Sequence, residues 1–300
     1  MAYRILLPLF FALFAHVCSP CTNQPWDGGS RLVLYFQTAH DSHGSPISLL
    51  PLITEQGIGL THLIIASFHI NVDSEIHLND HLPSDPIFAT LWSEVEALKA
   101  AGIKVLGMVG GAAQGSYSEA TLDGNQATFS KYYGQLRREV QRNKLQGLDL
   151  DVEEGMSQRG ITRLIGELRK DFGPEFLITL SPVASALQGG ANPNGFSYAA
   201  LEADFGSDIA FYNAQFYSGY GNISTSNDYD DVISRGWKPS KIVIGQLTTP
   251  ANGYGYTSIS ELKQTVNNLG GKYGRLGGVM GWEYFSSEPG GLQAPWQWAR

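Results

Sequence analysis

Cysteine is nearly absent from this 300-residue chain, and the only two, Cys18 and Cys21, lie close together near the N-terminus. The rest of the protein therefore has no disulfide framework. A Cys-x-x-Cys without a second pair, a histidine cluster or a βαβ context does not read as a metal or redox centre. Basic residues are also scarce. Twenty Lys and Arg face 28 Asp and Glu, giving a formal charge of -8 and a pI near 5.3. This excludes the phosphate-neutralising surface that nucleic-acid binding requires. No internal repeat, low-complexity stretch, interdomain linker or heptad seam is visible, so a single monomeric domain is expected. A phosphate loop and histidine/carboxylate pairs at metal-ligand spacing are missing too, and neither cofactor nor metal is expected.

What is present begins at the terminus. Arg4 precedes an apolar run from Ile5 to Val17, too short for a comfortable membrane span, followed by small residues and a turn at Ser19 and Pro20. Residues 1–21 read as a secretory signal peptide with an approximate cleavage site, leaving residues 22–300 as the secreted, extracellular chain. Both cysteines fall at that junction. The sequon Asn222-Ile223-Ser224 is an expected surface glycosylation site. With 43% hydrophobic residues, the mature chain can bury the core of one large α/β domain.

The segment with most chemical content is Gly147-Leu148-Asp149-Leu150-Asp151-Val152-Glu153. Side chains alternate along a strand, so its three acids form a column with roughly 6 to 7 Å between neighbours, and the aliphatic residues face the other way. Stacked like charges resist ionisation when buried, which makes such a column costly as mere structure. A solvated edge strand would explain it blandly, but such strands rarely keep strict Leu/Val spacers.

Eight strands are readable in all, over residues 31–36, 61–68, 104–109, 147–152, 176–180, 209–217, 241–246 and 278–285. Helical periodicity appears over 86–101, 126–143 and 161–172, with Ser157 as an N-cap. Ser258 with Glu261 forms a capping-box signature that begins another helix. The weakest helices are the first, over 47–54 and interrupted by Pro51, and one after Gly291. This alternation fits an α/β fold, a (β/α)8 TIM barrel without a sizeable insertion domain, since about 30 residues separate the last two strands. Active sites of such barrels lie at the C-terminal strand ends. That rule sends Glu153 to the mouth, with Asp151 beneath it and Asp149 deeper. It gathers Tyr35, Gln37, His69, Asn71, Asn213, Gln215, Tyr217, Gln246, Trp282 and Glu283 around the same rim. Each residue singly has a bland reading as core, capped or exposed residue. Their shared placement is what points to a site.

These residues resemble glycoside hydrolase family 18. The 147–153 run is similar to the family's fourth-strand signature Asp-Gly-x-Asp-x-Asp-x-Glu, with Gln146 in place of the leading Asp. Met108-Val109-Gly110-Gly111 is similar to its third-strand Ser-x-Gly-Gly motif, with Met108 in place of Ser. Gln215-Phe216-Tyr217 and Trp282 fall on its sixth- and eighth-strand positions. The runs 46–48, 60–64, 67–71 and 278–285 resemble small secreted fungal endo-β-N-acetylglucosaminidases of the endo T type.

The resemblance implies substrate-assisted, retaining hydrolysis of the GlcNAc-β-1,4-GlcNAc core bond of N-glycans, chiefly high-mannose chains. In that scheme Glu153 is the general acid, Asp151 assists the 2-acetamido group and Tyr217 holds it. Asp149 and Gln215 support them, and Asp149 and Asp151 could share a proton. Trp282 floors a sugar pocket completed by Tyr35, His69, Asn71, Gly110, Gly111, Asn213, Gln246 and Glu283. Two alternatives remain open: a chitinase acting on GlcNAc polymers, and a non-catalytic lectin or inhibitor on the same barrel.

Overall fold

In the computed structural model, residues 30–300 are described; the expected signal segment and both cysteines lie outside them. Nine strands run in chain order: β1 Arg31–Phe36, β2 His62–His69, β3 His77–Leu78, β4 Lys104–Gly110, β5 Gly147–Asp151, β6 Leu177–Leu180, β7 Phe211–Gln215, β8 Ile242–Leu247 and β9 Gly278–Trp282. All but β3 are parallel neighbours in the order β1-β9-β8-β7-β6-β5-β4-β2, and β1 pairs with β2 to close the ring. The eight-stranded parallel barrel of the sequence reading is therefore the fold. The added β3 is a two-residue strand antiparallel to β2.

Strand parity sorts the core into two layers. Val33, Tyr35, Ile64, Leu106, Met108, Phe211, Val243 and Met280 fill the barrel. Leu34, Phe36, Leu63, Leu148, Leu150 and Ile178 pack outward against the helices. The helices are α1 Pro51–Thr54, α2 Ala89–Ala100, α3 Gln126–Arg142, α4 Gln158–Phe172, α5 Ala184–Leu187, α6 Tyr198–Phe205, α7 Asn227–Ser234 and α8 Ile259–Tyr273. The starts of α3, α4 and α8 are fixed by side chains that accept the otherwise orphaned backbone N–H groups. Asn125 caps α3, Ser157 caps α4, and Ser258 with Glu261 forms the capping box of α8.

Several bounds differ from the sequence reading. The helix expected over 47–54 shrinks to the single turn α1, because Ser48 Oγ and the Leu49 N–H are engaged by the Glu94 carboxylate and hold that stretch extended. The helix expected after Gly291 is two 3-10 turns, Gly291–Gln293 and Pro295–Ala299. Strands expected over 209–217 and 278–285 end at Gln215 and Trp282, and residues beyond them leave the ladder to form the mouth.

Candidate active site

The fourth barrel strand, β5, hydrogen-bonds to β4 on one side and β6 on the other, and every residue from Gly147 to Asp151 is buried. Leu148 and Leu150 belong to the outer core, which leaves Asp149 and Asp151 for the interior. Asp149 is wholly buried and accepts four hydrogen bonds. Tyr35 Oη donates at 2.7 Å and Asn213 Nδ2 at 3.0 Å, with the Thr179 and Ser181 hydroxyls on the remaining positions. Burial pushes this carboxyl's pKa up, while the four donors oppose that push by favouring the anion.

Asp151, one step nearer the mouth and 5% exposed, has no such set of donors. Gln215 Nε2 donates to its Oδ1 at 3.2 Å, and its carboxyl is hydrogen-bonded to that of Glu153. Burial, followed by the charges of Glu153 and Asp149, holds its pKa well above the carboxylate range. Its surroundings therefore favour the protonated form of Asp151. The sequence allowed a proton shared between Asp149 and Asp151, but Asp149's acceptor positions are already occupied by hydroxyl and amide donors. Glu153 lies just past the strand end, half-buried, and Gln215 Nε2 also reaches its Oε1 at 3.4 Å and the Ser181 carbonyl at 3.0 Å.

Asp151 and Glu153 open into a cavity of about 510 Å³. Of the residues expected around the rim, Gln37, His69, Gly110, Gly111, Gln215, Tyr217 and Trp282 line it with them. The Tyr217 hydroxyl has no hydrogen-bond partner among the described residues. Burial and the neighbouring carboxylates keep its pKa well above the ordinary phenol value, so it faces the cavity as a neutral donor. The Trp282 ring packs on Tyr35 with centroids 5.4 Å apart.

Five other residues expected at the rim or beside the acids do not line the cavity. Tyr35 and Asn213 sit one layer lower, where the Tyr35 hydroxyl and the Asn213 Nδ2 donate to Asp149. Gln246 is fully buried with the wrong strand parity: its Nε2 donates to Thr257 Oγ1 at 3.2 Å and its Oε1 accepts from the Leu247 N–H at 2.9 Å. The Glu283 carboxylate accepts the Gln37 and Thr38 N–H groups at 2.7 and 3.0 Å, pinning the loop after β1, while burial raises its pKa. The Asn71 amide reaches only the His69 carbonyl, at 3.5 Å. Asn222 is exposed on the loop before α7, and its Oδ1 accepts the Ser224 N–H and hydroxyl.

One anchor had escaped notice in the sequence. The Glu154 carboxylate accepts the Gly115 N–H through both oxygens (2.9 and 2.8 Å) and the Tyr117 N–H at 2.8 Å. It ties the loop after β4 to the turn that carries Glu153. On the same seam the Gly111 N–H donates to the Asp151 carbonyl at 2.9 Å. Gly110 has φ +92°, and a Cβ there would lie 2.4 Å from that carbonyl oxygen. The paired glycines belong to a motif legible in the sequence; no periodicity marks Glu154.

A closed parallel barrel with two neighbouring carboxyls, Asp151 and Glu153, at its mouth has the layout of a glycosidase. Residues 31–288 match the family described as Glycosyl hydrolases family 18, and the chain belongs to that family. A solved fungal endo-beta-N-acetylglucosaminidase of the same family is 58% identical, with a TM-score of 0.88 over 90% of this chain and 95% of that one. The chitinase ChiC from Aspergillus fumigatus is 48% identical, with a TM-score of 0.84 over 90% and 97%. Chitinase 1 from Rhizopus niveus is 29% identical over an alignment of 209 residues that covers 65% of this chain but only 40% of the length of that protein.

Proposed function

We propose that the protein is a secreted endo-β-N-acetylglucosaminidase that cleaves the GlcNAc-β-1,4-GlcNAc core bond of N-glycans, high-mannose chains above all, with retention. The observation that carries this reading is its likeness to the fungal endo-beta-N-acetylglucosaminidase across nearly the whole barrel. The apolar segment before Ser19 supports secretion, and the exposed turn at Asn222 suits a glycan there.

The chemistry follows from the pair. Only one proton donor is needed when the sugar's own 2-acetamido oxygen is the nucleophile. In the free enzyme Asp151, where burial and the neighbouring charges favour the protonated form, holds its proton toward Glu153. A bound acetamido N–H takes over as donor to Asp151, leaving the proton on Glu153, which gives it to the glycosidic oxygen as the acetamido oxygen closes on C1. Tyr217 Oη donates to that oxygen and holds it near C1, replacing an encounter with proximity. The C1–O bond breaks, and the Asp151 carboxylate balances the positive oxazolinium ion. Glu153, now ionised, takes a proton from water as the water adds to C1 and the bond between C1 and the acetamido oxygen breaks, which frees the 2-acetamido group and restores the starting pair.

A second reading, chitinase, is favoured by the likeness to ChiC. A non-catalytic lectin is disfavoured by the intact pair. Incubation with a high-mannose glycoprotein beside colloidal chitin separates the enzymes: release of the glycan, with little soluble GlcNAc oligomer from chitin, supports the proposal, and the reverse pattern overturns it. The Glu153→Gln variant should lose hydrolysis by roughly 10²–10⁴-fold or more while melting as the wild type does.

A further inference from the structure

A second cavity, of about 450 Å³, opens beside the catalytic one, and Gln37 and His69 form walls of both. Asn79, Asp80 and His81, which follow the additional strand β3, build its far side. Asn79, at φ +52°, donates from Nδ2 to the Gln37 carbonyl at 3.0 Å and accepts the Ser67 N–H at 3.2 Å, fastening this wall to the ends of β1 and β2. Three of the chain's seven histidines, His40, His69 and His81, line the cavity with Asp80. Among the described residues no such group is arranged to hold a metal ion.

What these side chains share is hydrogen-bonding capacity not spent on the protein. The Asp80 carboxylate and the His69 ring have no hydrogen-bond partner among the described residues. His81 Nδ1 stands 3.7 Å from Asp85, beyond hydrogen-bond range. His40 commits only Nε2, to the Ile87 carbonyl at 3.1 Å. Burial holds the His69 imidazole below its usual pKa, although Asp80 pulls the other way. A neutral imidazole offers one donor and one acceptor, and a carboxylate offers acceptors, which together match sugar hydroxyls. Phe88 and the half-exposed Ile87 supply apolar area for the C–H face of a ring. Asp80 disfavours an anion.

We propose that this side cavity binds a neutral hexose branching from the sugar chain that occupies the catalytic cavity. The inference rests on the N-glycan reading, because a linear GlcNAc polymer needs one groove and a branched glycan can fill two cavities that share a wall.

The test compares kcat/KM of the wild type and of a double variant, Asp80→Ala with His81→Ala, on a high-mannose glycopeptide and on a linear GlcNAc hexamer. Both side chains are exposed, so the melting temperature should be unchanged. The loss on the glycopeptide is expected to exceed any loss on the hexamer by roughly tenfold, the scale of one or two hydrogen bonds. His81→Gln, which keeps a donor and an acceptor, should recover most of its share. Equal losses on both substrates, or no loss on the glycopeptide, overturn the proposal. A wild type that cleaves the hexamer but not the glycopeptide removes the N-glycan reading itself. A wild type active on the glycopeptide beside an unimpaired double variant removes only the side cavity.

Discussion

Replacing Asp151 by Asn exchanges a buried, proton-binding carboxyl for a neutral amide of nearly the same shape. In the native chain its pKa is held well above the usual range by burial and by the Glu153 and Asp149 charges, whereas in the unfolded chain it titrates near the ordinary value of about 3.9. The folded state therefore binds this proton more tightly. Its stabilising effect is complete below about pH 4 and is lost as the pH climbs through the raised folded value. The Asn variant has no such loss. It keeps the carbonyl that accepts from Gln215 and gains an amide donor toward Glu153. Every tenfold preference of the folded chain for the proton corresponds to about 1.4 kcal/mol, or roughly 2–3 °C in Tm for a domain of this size. Thermal melts of both proteins at about pH 4 and about pH 8 read the effect. The variant should match the wild type in acid and melt higher in weak alkali, by at least that order. A constant gap, or a variant that melts lower at high pH, would refute the coupling. The same substitution should cut hydrolysis by roughly 10²–10³-fold, while a preformed sugar oxazoline should still be accepted because it bypasses the assisted step.

Tyr217→Phe removes the cavity-facing hydroxyl without opening a cavity; kcat should fall by roughly ten- to a hundredfold with little change in Tm, and an unchanged kcat would take the acetamido role from Tyr217. Gly110→Ala places a methyl 2.4 Å from the Asp151 carbonyl oxygen and 2.5 Å from the Tyr117 ring, at φ +92°. The left-handed backbone alone costs about 1–3 kcal/mol, so denaturant melts should show a loss at least that large. Glu154→Ala leaves the Gly115 and Tyr117 N–H groups without their acceptor, at about 1–3 kcal/mol each when water cannot replace it. Stability and kcat should both fall, and recovery by Glu154→Gln would identify the carbonyl-type acceptor as the feature that matters.

Strand parity explains which parts of the site were legible. It places Asp149 and Asp151 inside the barrel, and likewise Asn213, Gln215 and Tyr217 on and after β7. On β8 the interior residues are Val243 and, at the cavity, Leu247, so Gln246 between them faces away. Glu283 follows the inward Trp282 and turns to the backbone of Gln37 and Thr38 for the same reason. Depth was harder to read than direction. Tyr35 has the right parity but lies a layer below the cavity, since only the register of the closed barrel fixes how far each strand end projects. A register shift between Ile65 and Phe68 also brings Ser67 to the cavity wall, which no alternation pattern forecasts. Glu154 and the side cavity depend on loops meeting across the mouth, contacts 37 and 39 residues apart in the case of Glu154. Local periodicity carries no trace of them.

The central claim is the bond that is cut, and a mass spectrum of a high-mannose glycopeptide after treatment reads it most directly. The expected products are a peptide that keeps a single GlcNAc on its asparagine and a released glycan ending in the other GlcNAc. A peptide with its glycan intact, from a preparation that degrades chitin in parallel, would contradict it.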